Sequence, residues 1–401
     1  MRKITALLLA IMMLFCMVGC DKGNDTPSGS NSDSSDGSVT LLTHILAKER
    51  TITETVGTPR NLANTYDALK NKKSLKIGYL GGSITSGFGG DSVGGWRVRT
   101  TDWFKKNYSS AEITEINLSI GGTSSNTGLF RLMDTLITEA PDLIFVEFAM
   151  NDSHIGFNEA ASGAYMEAII RETNKVLPKT DLIIVFTTDV TRNGNDFSNL
   201  TGHRKIAEYY GVPCINVGAA AVKAASQNGE VLSDYLADTV HPNERGYIAY
   251  ANEVQRALTE WLATAKTQAP KAHELSNEYA VSNPFDAVKV IYPDDVNHDE
   301  KWGVRTPKNS PLETESALYH KAQYAEFTIE FEGSMFSLLG EFNAGVNYDV
   351  TIDGEYTVRV GTGSKTEYEL SVATNLLKGK HTATVKALSK TYGGIEGILV
   401  G

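Results

Sequence analysis

The sequence has little cysteine: three residues in 401, at positions 16, 20 and 214. Cys16 and Cys20 fall within the first twenty residues, which leaves Cys214 without a partner in the body and excludes a disulfide framework. Cys214 lies in the apolar run VPCINV, where a cysteine packs as a small hydrophobe. Excess positive charge is also lacking. The 37 Lys and Arg against 48 Asp and Glu give a formal net charge of −11, with no basic stripe, so nucleic acid is not an expected partner. There is no H-E-x-x-H, no C-x-x-C and no phosphate loop, and His44, His203, His273, His298, His320 and His381 form no ligand-spaced cluster. No metal and no cofactor are expected. Internal repeats are missing too.

What is present begins with a leader. Arg2 and Lys3 precede the apolar run Ile4 to Val18, and Gly19-Cys20 follows. This is the pattern of a secretory signal, too short and wrongly flanked for a membrane span. The segment MVGC, Met17 to Cys20, resembles the lipobox of bacterial lipoproteins, which implies cleavage before Cys20 and lipidation of its sulfur. The expected location is extracytoplasmic, anchored to the cell membrane through that lipid; plain secretion is the alternative. Residues 20–40 are rich in Ser, Gly, Asp and Asn and nearly devoid of apolar side chains, so they read as a flexible tether.

The body is of ordinary globular composition, 41% hydrophobic and 21% charged, and long enough for two or three domains. NLANTYDALKNKK reads as a helix beside the first strand. Short apolar strands then recur at Leu75–Leu80, Glu112–Ser119, Asp142–Ala149, Asp181–Thr188 and Val212–Val217, with helical patterns between them. In the last helix Ile248, Ala251, Val254, Leu258 and Trp261 fall at helical spacing. The alternation predicts an α/β domain over residues 41–268, three layers with a five-stranded, mainly parallel sheet between helices. After about residue 266 the texture changes. KTQAPKAHELSNEYAVSNP reads as a linker or edge segment, EFTIEFEG alternates apolar and polar residues, and Asp353-Gly354 between two alternating runs signals a hairpin. LLKGKHTATVKAL offers a second hairpin. Residues 269–401 are expected to form an antiparallel β-sandwich.

Four polar pieces lie at strand ends of the first domain: Ser83 in GGSIT, Gly121-Gly122 in NLSIGGTSS, Asn151-Asp152 in AMND, and Asp238 with His241 in DTVHPNERG. Ligands of parallel sheets bind at the carboxyl ends of the strands, so these loops should converge. A serine hydroxyl needs a base to become a nucleophile; His241 supplies one, and Asp238 orients its ring. The backbone N–H groups of Ser83 and Gly122 and the Asn151 amide would form an oxyanion hole. Alone, each piece has a plain structural use: Ser83 as a turn residue, Asn151-Asp152 as a strand cap, Gly121-Gly122 as punctuation. Two further residues are candidate pocket walls, His154 just past Asn151 and Trp96 in GGWRVR.

Together these segments resemble the blocks of the SGNH hydrolases, or GDSL-type esterases, over roughly residues 60–265. GGSIT resembles the nucleophile block, with Gly82 where many members have Asp. NLSIGGTSS resembles the glycine block, with Asn117 in register and Gly122 as the oxyanion glycine. AMND resembles the G-x-N-D block, with Ala149 for the first glycine, and DTVH matches D-x-x-H. The resemblance implies a flavodoxin-like sheet. Thr85 in the last position of GGSIT separates it from the G-x-S-x-G elbow of α/β-hydrolases. FEGSMFSLLGEFNAG is similar to accessory jelly-roll modules of carbohydrate-active enzymes. Taken together, the expected activity is hydrolysis of O-acetyl or other short-acyl esters on polysaccharide through an acyl-Ser83 intermediate. The alternatives are a lysophospholipase or thioesterase acting on lipid acyl groups, and a non-catalytic glycan-binding surface lipoprotein.

Overall fold

The computed structural model describes residues 44–90, 92–307, 312, 314–390 and 393–401. The expected signal segment, Cys20 and the tether lie outside the described residues. Strands Ser74–Gly81 (β1), Glu112–Ser119 (β2), Leu143–Glu147 (β3), Asp181–Phe186 (β4) and Cys214–Asn216 (β5) form one sheet in the order β2-β1-β3-β4-β5. Every neighbouring pair is parallel. β3 and β4 are buried along their whole length, as their near-continuous Val, Ile, Leu and Phe require.

Helices cover both faces. Ala63–Asp67 (α1, continued by a π-helical turn at Ala68–Lys72) comes first, then the single turn Ser83–Ser86 (α2) and Gly95–Asn107 (α3). Ser125–Thr138 (α4), Ala149–His154 (α5), Glu159–Val176 (α6), Ser198–Tyr210 (α7), Val217–Gln227 (α8) and Glu244–Ala265 (α9) follow. Leu69, Phe104, Ala221, Val254 and Leu258 close one face, and Leu129, Leu132, Ile169 and Ile206 the other. Two expected strands end early because a helix begins inside them. Ala149 opens α5, and the Asn216 side chain caps α8 by accepting from Ala219 N at 2.8 Å. In α9 the inward stripe is Tyr247, Tyr250, Val254, Leu258 and Leu262, whereas Ile248 faces solvent. The two tyrosines carry more of the buried surface than the aliphatic spacing suggested.

The C-terminal half is an antiparallel sandwich. Lys289–Ile291 (β6), Trp302–Arg305 (β7), Ala317–His320 (β8), Glu326–Gly333 (β9) and Phe336–Phe342 (β10) come first. Asn347–Ile352 (β11), Tyr356–Gly361 (β12), Glu367–Ala373 (β13), Gly379–Ala387 (β14) and 393–400 (β15) complete it. One sheet runs β13-β10-β15-β8-β7 with β6 on β15; the other runs β12-β11-β14-β9. Asp353 and Gly354 take φ values of +53° and +73° and turn β11 into β12 as expected. The second expected hairpin is not formed. β13 belongs to one sheet, and β14 crosses to the other to pair with β9 and β11.

The segment read as a linker is docked instead. His273 Nε2 lies 2.8 Å from Asp181 Oδ1, and Glu167 on α6 accepts the backbone N–H groups of Ala280 and Val281. Beyond it, the sandwich sits on the helical face: Phe285, Met335, Leu339 and Leu399 share one core with Leu129 and Phe130 of α4 and Tyr165 of α6. Helix α4 is therefore covered by the parallel sheet on one side and the antiparallel sheet on the other. Near the start, Ile45 is buried in the sandwich core, and Ala47 N donates to Asn375 O.

Candidate active site

In this strand order the sheet reverses direction of growth between β1 and β3, and the loops beyond that point diverge and leave a crevice. The register is level there, because Gly81 pairs with both Ser119 and Glu147. The residues that follow β1, β2 and β3 therefore emerge on one rim.

Ser83 is the first residue of α2, where a helix leaves its first N–H groups without intrahelical acceptors. Its Oγ lies 2.8 Å from His241 Nε2. His241 Nδ1 lies 2.7 Å from Asp238 Oδ2, so the ring carries its proton on Nδ1 and presents a lone pair to the serine. Asp238 Oδ1 also accepts the backbone N–H groups of Val240 and His241, each at 2.7 Å. Partial burial works against the charge on Asp238, but these backbone donors, followed by the imidazole, outweigh it and hold the carboxyl below the usual range. The histidine is fixed from behind: Ala237 N donates to His241 O, and Asn243 caps α9 two residues on.

The other polar pieces meet the same serine. A methyl group placed on Gly121 would lie 3.5 Å from Ser83 Cβ. Gly122 has φ +77° with open space around it, so glycine is required there by backbone conformation rather than by crowding. The Asn151 amide lies against Gly82: a Cβ at Gly82 would come within 2.7 Å of Oδ1 and 2.8 Å of Nδ2. The amide thus packs directly on the Gly82 backbone, at the position where many members of the resembled family carry Asp.

Of the two candidate walls, His154 is exposed at the end of α5, on the rim shared with His241. Partial desolvation of its ring by the surrounding protein, then the neighbouring Arg192, hold it below the ordinary histidine range. Trp96 is not a wall. It is fully buried in the core, edge-on to Tyr79 and Phe145 at 5.5 and 5.7 Å. The aromatic side chain at the rim is Phe88, 61% exposed and edge-on to the His241 ring at 4.7 Å. The sequence signal for it was its place in the glycine-rich turn after Ser83. Beneath the serine lies a carboxyl group that the sequence reading passed over. Glu147, the single acid in the apolar strand β3, accepts from Thr85 Oγ1 at 2.9 Å and Thr187 Oγ1 at 3.0 Å. Burial pushes it up to about 7, against these hydrogen bonds.

Among the described residues, no group of three or more His, Cys, Asp or Glu side chains is arranged to hold a metal ion, and no helix is long and apolar enough to cross a membrane. Cys214 is free and half-buried, its thiol pushed up to about 12 by burial. A cavity of about 790 Å³ opens beside β2 and α4, lined by Phe130, Arg131, Tyr292 and Asp294 among others, and includes neither Ser83 nor His241.

The doubly wound parallel sheet thus carries a serine, a histidine and an aspartate in hydrogen-bonded sequence at its switch point. The model of the GDSL-like Lipase/Acylhydrolase family matches residues 79–249, from within β1 to the start of α9. The match spans the parallel-sheet region, and the protein is a carboxylic ester hydrolase. Among solved structures, a two-domain esterase (CEX) active on acetylated mannans, co-crystallised with mannopentaose, is similar with a TM-score of 0.67 at 18% identity. The match covers 86% of this chain and 96% of that one. A second structure of a two-domain esterase (CEX) active on acetylated mannans gives a TM-score of 0.67 at 19% identity, covering 85% and 96%. The likeness runs through both halves of the fold. Comparison with curated protein sequences gave no match.

Proposed function

We propose that this protein is a serine esterase that removes acetyl and other short acyl groups from polysaccharide through an acyl-Ser83 intermediate. The observation that carries the reading is the unbroken chain from Ser83 Oγ to His241 Nε2 at 2.8 Å and from His241 Nδ1 to Asp238 at 2.7 Å, beside Gly122 and the Asn151 amide. His241 takes the Ser83 proton as Oγ attacks the ester carbonyl. The negative oxygen receives hydrogen bonds from the N–H groups of Ser83 and Gly122 and from Asn151 Nδ2. The protonated His241 then gives its proton to the departing alcohol. Water, deprotonated by the same ring, attacks the acyl carbon and releases the acid and free Ser83.

Two features favour a sugar ester. Phe88 offers an exposed aromatic face beside the imidazole, and such faces suit stacking against a sugar ring. The two-part architecture is also that of an esterase active on acetylated mannans. The proposed setting is the outer face of the cell membrane, with Cys20 lipidated and residues 20–40 as the tether; the mass of the mature N-terminus tests that part. The chemistry is tested with Ser83→Ala, which should abolish turnover of p-nitrophenyl acetate in a folded protein. Wild-type turnover in that variant sinks the mechanism. A preference for decanoate over acetate esters sinks the sugar-ester assignment.

A further inference from the structure

The five consecutive polar residues Thr123 to Thr127 have essentially no exposure. They run from the glycine turn at Gly122 into the first turn of helix α4, and a buried run of hydroxyls and amides must find its partners inside the protein. Those partners come from three places. Arg131 of α4 donates to Thr123 Oγ1 and to the carbonyls of Leu118 and Gly81. Asp152 of α5 accepts from Ser125 N and Ser125 Oγ, both at 2.8 Å, and from Ser162 and His203 behind it. Ser124 and Thr127 turn to the other half of the molecule. Ser124 Oγ lies 2.7 and 2.8 Å from the two carboxyl oxygens of Glu369, and Thr127 Oγ1 donates to the same group.

Glu369 lies on β13, the edge strand of the six-stranded sheet, opposite Leu339. That sheet is pinned to α4 by the apolar core around Phe130, Leu339 and Leu399, so the carboxyl group is held at a fixed distance from the loop. Both hydroxyls lie within hydrogen-bond reach of this one carboxyl group, which ties residues 124 and 127 to a single point on β13. The group also sits at the N-terminus of the 14-residue helix α4, where the helix dipole offsets part of the burial that holds it above the ordinary carboxylate range. Gly122 supplies no side chain to anchor its own turn and holds a positive φ, so its position depends on the anchors that follow it.

We propose that Glu369 is a positioning residue for the oxyanion hole: the C-terminal sandwich reaches through it to Ser124 and Thr127 and fixes the backbone N–H of Gly122 for the transition state. This rests on the esterase reading given above. Oxyanion donors act when negative charge develops, so loosening one lowers kcat and leaves KM nearly alone.

The test uses the full chain and p-nitrophenyl acetate, with amide hydrogen exchange of the peptide spanning residues 120–127 as a second readout. Glu369→Ala is expected to lower kcat about 10- to 100-fold with KM within about twofold, and to speed exchange in that peptide. Glu369→Gln, which keeps one acceptor, restores most of kcat. Ser124→Ala removes the partner instead of the buried acid and gives a loss of the same kind. Val350→Ala, in the core of the four-stranded sheet, destabilises the sandwich without touching the loop and leaves kcat and the exchange of 120–127 unchanged. A wild-type kcat in Glu369→Ala, a loss expressed equally in KM, or faster exchange without a loss of kcat overturns the proposal. Failure of the esterase reading shows separately, as turnover that survives Ser83→Ala.

Discussion

The hydroxyl of Thr85, two residues after Ser83, donates to the carboxyl group of Glu147 at 2.9 Å, so the turn that carries the serine stands on a buried acid. Burial raises that acid from its ordinary value to about 7, while Thr85, Thr187 and the Gly82 backbone N–H pull it down and Asp152 pushes it up. The folded chain therefore binds this proton more tightly than the unfolded chain does. The resulting stabilisation is full below about pH 4.5 and is lost as pH rises through 7, and it amounts to as much as about 3 kcal/mol. Glu369, also raised to about 7 by burial, acts in the same direction. Glu147→Gln should flatten the fall in stability between pH 5 and pH 8 but leave the part due to Glu369. Urea unfolding at the two pH values checks this.

Gly82 is required by its neighbour. Its backbone is extended, with φ −96° and ψ −152°, so alanine meets no conformational penalty there. The added Cβ would come within 2.7 Å of the Asn151 amide and displace it. Gly82→Ala, and more so Gly82→Asp, should cost the oxyanion hole that donor, a fall in kcat of about 100- to 1,000-fold with the fold intact. Steady-state kinetics and a melting curve on the same preparation give the answer.

Asp238 is held charged by two backbone donors before the imidazole contributes, so its carboxylate survives into the acid range where ordinary aspartates protonate. Asp238→Asn keeps the shape and reverses the hydrogen-bond polarity at His241 Nδ1. The ring then favours the tautomer with its proton on Nε2, facing the serine. A loss of about 10³- to 10⁴-fold in kcat at neutral pH is expected, with little change in KM.

Two aromatic side chains near the site should behave in opposite ways. Trp96 is a core residue against Tyr79 and Phe145, so Trp96→Ala should destabilise the protein by about 3–5 kcal/mol. Phe88 meets the His241 ring in a T-shaped contact and stays open to solvent. Phe88→Ala should leave the melting temperature nearly unchanged and keep turnover of p-nitrophenyl acetate within about threefold. It should lower kcat/KM on acetylated oligosaccharides about tenfold. Equal losses on both substrates would assign Phe88 to the imidazole rather than to the sugar.

The meeting of Ser83, Asn151, Asp238 and His241 was legible because each stands in a short motif next to a strand end, and a parallel sheet brings such ends to one rim. The five strands were legible for a similar reason: strands buried on both faces leave unbroken apolar runs. What depends on contact between distant segments could not be read. Nothing near Thr123–Thr127 announces that the run is buried, since the acid that satisfies it lies over 240 residues away in β13. The partners of β14 are likewise set by sheet packing rather than by the turn before it. Trp96 follows two glycines and has no periodic neighbours to show which way it faces. Glu147 was available to inspection as a lone acid in an apolar strand.

Helix α4 has no wet side to spare, since Leu129 and Phe130 are buried against sheets from both halves. The chain is therefore not a bead on a string that can be cut free or grafted elsewhere at the stretch near residue 268. A shortened hydrolase would expose an oily flank along α4 and α6, and such flanks associate with whatever apolar surface they meet. Any scheme that exchanges one sandwich for another must bring a replacement for Leu339, Leu399 and Glu369 together, as one matched surface.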